Sequence, residues 1–316
     1  MKRPTSHNSE SGFALLTVMI VMGIIAIMVS GMMYRQTLSI QRSANMLHQA
    51  QAFAVTWGLE NWVKTGLALD AEKTKIDSLN ELWARPMMPV DFEGGTVSGQ
   101  LFDQQGLLNV NNLDPDLSKN QTEWKAIFTR YFNQKNIHPN PLDVIIDWVD
   151  ADNKLSPQGA ESDYYLLQNP PYRCANQKLV RIETLKLMRD MTPKQFDAIK
   201  KDFSALPTVT PVNVNTATKG VLVALAEGMT PDTADAWIAE RKEKPAQTIN
   251  DFNRFLHLHG IQATLSAAII SVDSDFFTLK AKAVYGDTRL GIGALFQRQN
   301  KSQVALIQRW MEADED

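Results

Sequence analysis

Cysteine is almost missing from this chain: among its 316 residues only Cys174 carries a thiol. One cysteine cannot close an internal disulfide, so in an oxidising compartment stability must come from packing or from bound ions. No Ser/Cys-His-acid pattern surrounds Cys174, which reads as a small core residue. A basic block is also missing. Lys and Arg number 32 against 35 Asp and Glu, a net charge of -3, and this balance does not favour nucleic acid as a partner. His138, His257 and His259 lie far in sequence from the chain's acidic loop, and no ligand pair has zinc-site spacing, which argues against a metalloenzyme. Proline is absent between Pro4 and Pro86, so nothing there breaks a helix.

What the chain has in place of these is an uncharged apolar run from Phe13 to Tyr34, behind a polar leader that carries Lys2 and Arg3. At a rise of about 1.5 Å per residue such a run spans the roughly 30 Å hydrocarbon core. The basic flank puts the N-terminus in the cytoplasm and the rest of the chain across the membrane. A secretory signal peptide has a shorter apolar core with a small-x-small cleavage site behind it. Here the candidate signal, Ser11-Gly12-Phe13, precedes the core, so cleavage would remove only the leader and leave the membrane helix in place. That order resembles type IV prepilin-like proteins, with Gly12-Phe13-Ala14-Leu15-Leu16-Thr17 as the processing site. An ordinary signal anchor is the other reading.

The helix does not stop at the membrane surface. Ile40, Ala44, Leu47, Ala50, Ala54 and Trp57 recur at spacings of three and four, predicting one helix from Phe13 to about Val63 with its second half packed on a soluble domain. A loop rich in turn formers follows, with Arg85-Pro86-Met87-Met88-Pro89 and Glu93-Gly94-Gly95. Strands are expected at Thr96–Asp103 and Gly106–Asn111, and again at Phe276–Tyr285 and Arg289–Phe296 across a Gly286-Asp287 turn. Strands on both sides of a helical middle predict an α+β domain, residues 35–112 plus 272–316, interrupted by an inserted helical domain at 113–271.

Within that middle, Trp124, Ile127, Phe128 and Tyr131 form one amphipathic face, and Leu142–Trp148 begins a short helix. Leu187-Met188-Arg189-Asp190-Met191-Thr192-Pro193 returns as Leu225-Ala226-Glu227-Gly228-Met229-Thr230-Pro231. Thr at the cap with Pro at the first helical position is a strong helix start, so each copy is read as helix, tight turn and helix. These repeats resemble the helix-hairpin-helix (SAM-like) family. DNA-binding hairpins use two glycines for close phosphate approach. The second copy has only Gly228, the first has none, and Asp232, Asp235 and Glu240 would repel a phosphate backbone. The hairpins are therefore expected to be structural. A membrane-anchored helix-hairpin-helix DNA receptor is the alternative.

The acidic loop carries Asp147, Asp150, Asp152, Glu161 and Asp163 within seventeen residues. Ca²⁺ takes six to eight oxygens from flexible carboxylates, carbonyls and water. Asp150, Asp152 and Glu161 fit the first, third and twelfth places of an EF-hand loop, but Lys154 and Leu155 stand where an oxygen ligand and the turn glycine are needed. The loop is not an EF-hand. Composition leaves two readings open, a cation site and a solvated loop that uses Asp as helix caps.

The whole chain resembles the GspK family, the large minor pseudopilins of the bacterial type II secretion system. The residues that carry this are the Gly12-Phe13-Ala14-Leu15-Leu16 start, Gly106-Leu107-Leu108-Asn109-Val110-Asn111, the Asp147–Asp152 to Gly159-Ala160-Glu161 loop, and Val212-Asn213-Val214-Asn215-Thr216-Ala217. The resemblance implies an inner-membrane, mostly periplasmic subunit without catalytic residues. It belongs in a short pseudopilus that drives folded exoproteins through an outer-membrane secretin. It implies one or two structural Ca²⁺ ions in the loop, held by Asp147, Asp150, Asp152, Glu161 and Asp163 with a carbonyl near Leu155 or Gln158. Implied partners are other minor pseudopilins, related to GspI, GspJ and GspH, and a prepilin peptidase that cuts after Gly12 and methylates Phe13. Most pilin-like chains carry glutamate at the fifth mature residue, where this one has Thr17. Protein extracted from its own membrane is expected to begin at a methylated Phe13, read by intact mass. A chain that still begins at Met1 in cells with active prepilin peptidase would refute that.

Overall fold

The computed structural model describes residues 10–286, 288–300 and 303–312. Most of the leader, residues 1–9, and Asp287 of the expected turn lie outside the described residues. The elements in chain order are α1 (Glu10–Lys73), β1 (Met87–Phe92), β2 (Gly95–Asp103), β3 (Leu108–Asn109), α2 (Gln121–Gln134), α3 (Leu142–Val149), α4 (Ser162–Tyr165) and α5 (Pro193–Ile199). Then come β4 (Phe203–Ser204), β5 (Val212–Asn213), α6 (Lys219–Leu225), α7 (Pro231–Glu243), α8 (Ile249–Leu258), β6 (Ile270–Ser271), β7 (Phe276–Tyr285), β8 (Thr288–Asn300) and β9 (Gln303–Glu312).

α1 is one helix of 64 residues, about 96 Å long, and it runs ten residues past the Val63 end that the apolar periodicity indicates. Its N-terminal part is long and apolar enough to cross a membrane and is not buried by any of the described residues. Further along, Ala52, Thr56, Leu59, Glu60, Val63 and Leu67 form the buried stripe, at spacings of three and four. The expected face was a different one: Ile40, Leu47 and Trp57 are exposed. Apolar side chains lie on several sides of this helix, so periodicity alone could not choose which stripe meets the sheet.

The sheet has five antiparallel strands in the order β1-β2-β7-β8-β9. Val97, Leu101, Phe277, Leu279, Ala281, Ala283, Ile292, Ala294 and Phe296 pack with the α1 stripe in one core. Two strands of this sheet were missed in the sequence, as were the two-residue strands β4, β5 and β6 outside it. β1 occupies the expected Pro-rich loop, with its register broken between Met87 and Val90, and an edge strand tolerates the missing N–H of Pro89. β9 closes the far edge, where Arg309 forks onto buried Glu60 of α1 at 2.6 and 2.5 Å. Behind β8, Gly293 lies under the Trp310 ring: a Cβ there would stand 2.1 Å from it.

The chain leaves this sheet after Asp103 and returns at Phe276, and the two strands are paired neighbours, with Asp103 opposite Phe277. Between them a second core gathers Trp124, Phe128, Tyr131, Phe132, Phe203, Trp237 and Phe252. The amphipathic face read on α2 is fully inside it. Thr192 and Thr230 cap α5 and α7, each with Pro at the start, as the repeat indicated. The element before the first cap is a 3-10 turn, Ile182–Leu187, whereas α6 precedes the second.

The Gly106–Asn111 strand is also shorter than expected. Only Leu108 and Asn109 pair, in parallel with β4, before a 3-10 turn over Val110–Leu113. The asparagines explain this, because their side chains make the bonds that a longer ladder would have supplied. Asn111 donates to the carbonyls of Leu179 (2.8 Å) and Leu206 (2.7 Å) and accepts from Leu179 N (2.7 Å). Asn109 donates to Thr208 O and accepts from Leu206 N. Asn215 binds both backbone groups of Ala246. Asn213 donates to Asp77 O (2.9 Å), Asp103 Oδ2 (3.1 Å) and Ser274 Oγ (2.9 Å). Buried amides used in this way crosslink segments distant in sequence. Asn213→Ala removes the donor from Asp77 O and Ser274 Oγ and the acceptor from Asn215 N, while Asp103 keeps Thr216 and Ser274, and it is expected to cost about 3 kcal/mol in denaturant unfolding of the purified chain. Asn61→Ala, on the exposed side of α1, is expected to change stability by less than about 0.5 kcal/mol.

Candidate functional site

The acidic loop is hung from α3. Asp143 and Asp147 are four residues apart and so share a helix face. Asp143 Oδ2 accepts from Gln158 N at 3.1 Å, and the fully buried Asp147 accepts from Ser156 N through both oxygens, at 3.2 and 3.1 Å. Gly159 lies directly on that carboxylate: a Cβ there would come within 1.8 Å of Asp147 Oδ2. No side chain fits there without opening the loop. The Cys174 thiol donates to the Asp147 carbonyl at 3.3 Å and is buried, the core role its surroundings in sequence suggested.

Folding brings Asp150, Asp152 and Glu161 together, with one oxygen from each lying within 4.8 Å of the others. Asp150 and Glu161 are 8% and 6% exposed, and Asp150 Oδ1 and both Glu161 oxygens are buried with no hydrogen-bond donor. Burial, then the charges of Asp152 and Asp147, push the Asp150 carboxyl up to about 6. Burial, then Asp147 and Asp150, push Glu161 up to about 7. Clustered, desolvated carboxylates without donors are a strained arrangement that a cation would relieve. The donor set is all oxygen, which suits a hard ion such as Ca²⁺.

Of the other expected ligands, Asp147 is already committed to the backbone of Ser156. Asp163 is exposed in the first turn of α4, outside the group of three. The Gln158 carbonyl is taken by the Arg189 guanidinium, while Leu155 is exposed. Sequence reading missed Asp114 and Asp116, whose charges also raise Asp150, and Asn176, whose amide holds the Asp152 carbonyl and Asn153 Oδ1. Asp114-Pro115-Asp116 is an acidic pair lying too far from the loop in sequence to be joined to it.

At the other end of the molecule, Gly12 lies inside α1 with no atom within 4 Å of where its Cβ would be, and Phe13 is 71% exposed. Among the described residues, nothing therefore requires glycine at 12. Thr17 turns its hydroxyl back to Ala14 O at 2.9 Å.

A long apolar N-terminal helix laid along an antiparallel sheet, with a large helical excursion bearing an acidic loop, defines a pilin-like membrane subunit. Sequence models described as "Type II secretion system (T2SS), protein K" match residues 106–208 and 212–273. The type II secretion system protein K of Pseudomonas aeruginosa is 31% identical, over 96% of this chain and 94% of that protein. That of Aeromonas hydrophila is 27% identical over 96% and 98%. A chain in the crystal structure of the GspK-GspI-GspJ complex of enterotoxigenic Escherichia coli has the same fold, with a TM-score of 0.75 at 19% identity. It covers 86% of this chain and 100% of that one. The chain belongs to the type II secretion system protein K family.

The raised carboxyls give a sign to test. A folded-state pKa above the unfolded value means that the loop's stability is intact below the ordinary carboxylate range. It is lost as pH climbs through about 6 to 7 when no cation is bound. Metal-free Glu161→Gln is therefore expected to melt a few degrees above the parent at pH 8, with no difference at pH 4. Calcium should raise the parent's melting temperature more than the variant's, and thermal melts with and without EDTA read both effects.

Proposed function

We propose that this chain is a minor pseudopilin at the tip of the periplasmic pseudopilus, where it starts assembly and supports export of folded proteins across the outer membrane. The N-terminus is cytoplasmic, the apolar part of α1 lies in the inner membrane, and the bulk is periplasmic. The observation that carries this reading is Thr17 on the exposed part of α1. Its hydroxyl is satisfied within its own helix and it has no charge with which to meet a neighbour's terminal amine. An unpaired charge in lipid costs several kcal/mol by usual estimates. A subunit without the partnering carboxylate docks poorly beneath another and is suited to the end of the filament. The inserted helical domain, residues 113–271 with its two hairpins as structural units, obstructs any subunit stacked above.

Partners on this reading are minor pseudopilins related to GspI, GspJ and GspH, and the secreted exoproteins. A prepilin peptidase is the agent that needs Gly12, cutting before Phe13 and methylating it. Ca²⁺ is held by Asp150, Asp152 and Glu161, with Asp147 anchoring the loop behind them, and its place is structural. Bound to the folded state alone, it stabilises the helical part as a disulfide would in a chain with more cysteine.

Crosslinks placed along α1 are expected to reach two or more other pseudopilins and to yield no homodimer. Thr17→Glu is expected to reduce secretion and to allow the subunit into the filament body. Filaments labelled along their length by the parent protein, or better secretion from Thr17→Glu, would refute the tip position.

A further inference from the structure

We propose that Arg189, forty residues beyond the loop's first carboxylates, is the positioning residue of the cation site; this rests on the calcium reading above. The loop has two limbs. The descending limb, from Asp150 to Ser156, is fastened to Asp147 through Ser156 N. The ascending limb, from Pro157 to Glu161, delivers the third carboxylate, and its carbonyls at 158 and 159 accept from outside the loop. Arg189 holds both of them: its guanidinium donates to Gly159 O at 2.6 Å and to Gln158 O. Two donors fixed in one plane set the direction of a peptide, which a single point charge cannot do.

Arg189 is itself held. Its backbone N–H is bonded to the Tyr165 hydroxyl (3.3 Å), and the Tyr172 hydroxyl donates to Leu187 O (2.6 Å). Its guanidinium lies 5.6 Å from the Tyr164 ring centre and 3.5 Å from Asp190. The turn at 187–191, which the sequence shows only as part of a repeat, is thus stitched to the loop and to α4 behind it. Asp190 takes a positive φ of 61° in that turn. In the second copy of the repeat the residue corresponding to Arg189 is Glu227. The strap belongs to the first copy.

Electrostatics and positioning predict opposite signs. Arg189 is a cation beside a cation site, so by charge alone its removal should tighten Ca²⁺ binding. If it positions Glu161, removal should loosen the ascending limb and weaken binding, as the loss of outer-shell partners does, by about ten-fold or more. The experiment is calorimetric titration of CaCl₂ into the purified full chain in detergent for the parent, Arg189→Met and Arg189→Lys, with thermal melts in EDTA and in calcium. We expect Arg189→Met to bind calcium at least about ten-fold more weakly, with a smaller calcium-induced rise in melting temperature. Arg189→Lys, which keeps the charge and loses the fork, should fall between the two.

Equal or tighter binding by Arg189→Met overturns the proposal. So does equal lowering of its melting temperature with and without calcium, the mark of a purely structural contact. If Arg189→Met fails to fold, Arg189→Lys decides: weaker binding supports the proposal, and affinity equal to the parent overturns it. A parent that takes no calcium refutes the calcium reading itself, and the positioning role falls with it, an outcome distinct from the others because it shows in the unmutated chain.

Discussion

Three parts of this molecule meet at one buried polar junction, and their mutual placement depends on it. Asp103, at the end of β2, accepts from Thr216 Oγ1 (2.5 Å), Ser274 Oγ (2.7 Å), Asn213 Nδ2 (3.1 Å) and Gln105 N (2.7 Å). Beside it Asp77, just beyond α1, accepts from Ser274 N and from Arg298 of β8. Arg298 also reaches Asp70 on α1 at 3.3 Å. Burial pushes the Asp103 carboxyl up and takes Asp77 to about 7, and the hydrogen bonds and the guanidinium oppose that. Such a cluster tolerates little misalignment, because a charge left unpaired inside costs more than its pairing gains. The point where the helical part leaves the sheet and the point where it returns are thereby fixed to the end of the membrane helix.

The acidic loop shows the opposite economy. At the junction each buried carboxylate has donors, whereas in the loop Asp150 Oδ1 and both Glu161 oxygens have none. Proteins leave buried acceptors unsatisfied where something else completes them. The surrounding fasteners, Asp143, Asp147 and Asn176, act on the loop backbone and leave Asp150, Asp152 and Glu161 to face one another. The three carboxylates are therefore held together by contacts that do not use their own free oxygens. Without cystine, the helical part rests on its buried side-chain hydrogen bonds and on its aromatic core.

For a secretion subunit the two arrangements have linked consequences. α1 packs on the sheet from His48, whose ring lies 5.1 Å from that of Tyr285, and its apolar run before that is exposed, so this surface is available to lipid and neighbours. The exposed Trp57 and Trp62 continue that bare surface past the apolar run. Arg309–Glu60 and Asp77–Arg298 tie α1 and its C-terminal end to the sheet, and Asn213, bonded to Asp77 O, Asp103 and Ser274, ties the helical part to both.

The long helix, the membrane run, the strands flanking a helical middle and the paired Thr-Pro helix starts were legible in the sequence because each is a local pattern, set by period, cap chemistry or composition. The family resemblance was carried by short motifs whose physical role was hidden. Asn109 and Asn111 read as strand residues and Asn213 and Asn215 as part of a family motif, and only the folded chain shows all four as crosslinks to partners far off in sequence. The same limit separated Asp150, Asp152 and Glu161, whose spacing hinted at a loop site, from Asp114 and Asp116, which join its field from another segment. Which stripe of α1 is buried was likewise undetermined, since its apolar residues are not confined to one side. β1 and β9 stayed hidden because edge strands owe their conformation to a neighbour's ladder and not to their own pattern. Local free energies wrote the elements into the sequence; contacts between distant residues, which no local pattern encodes, decided the junction, the loop geometry and the place of Arg189.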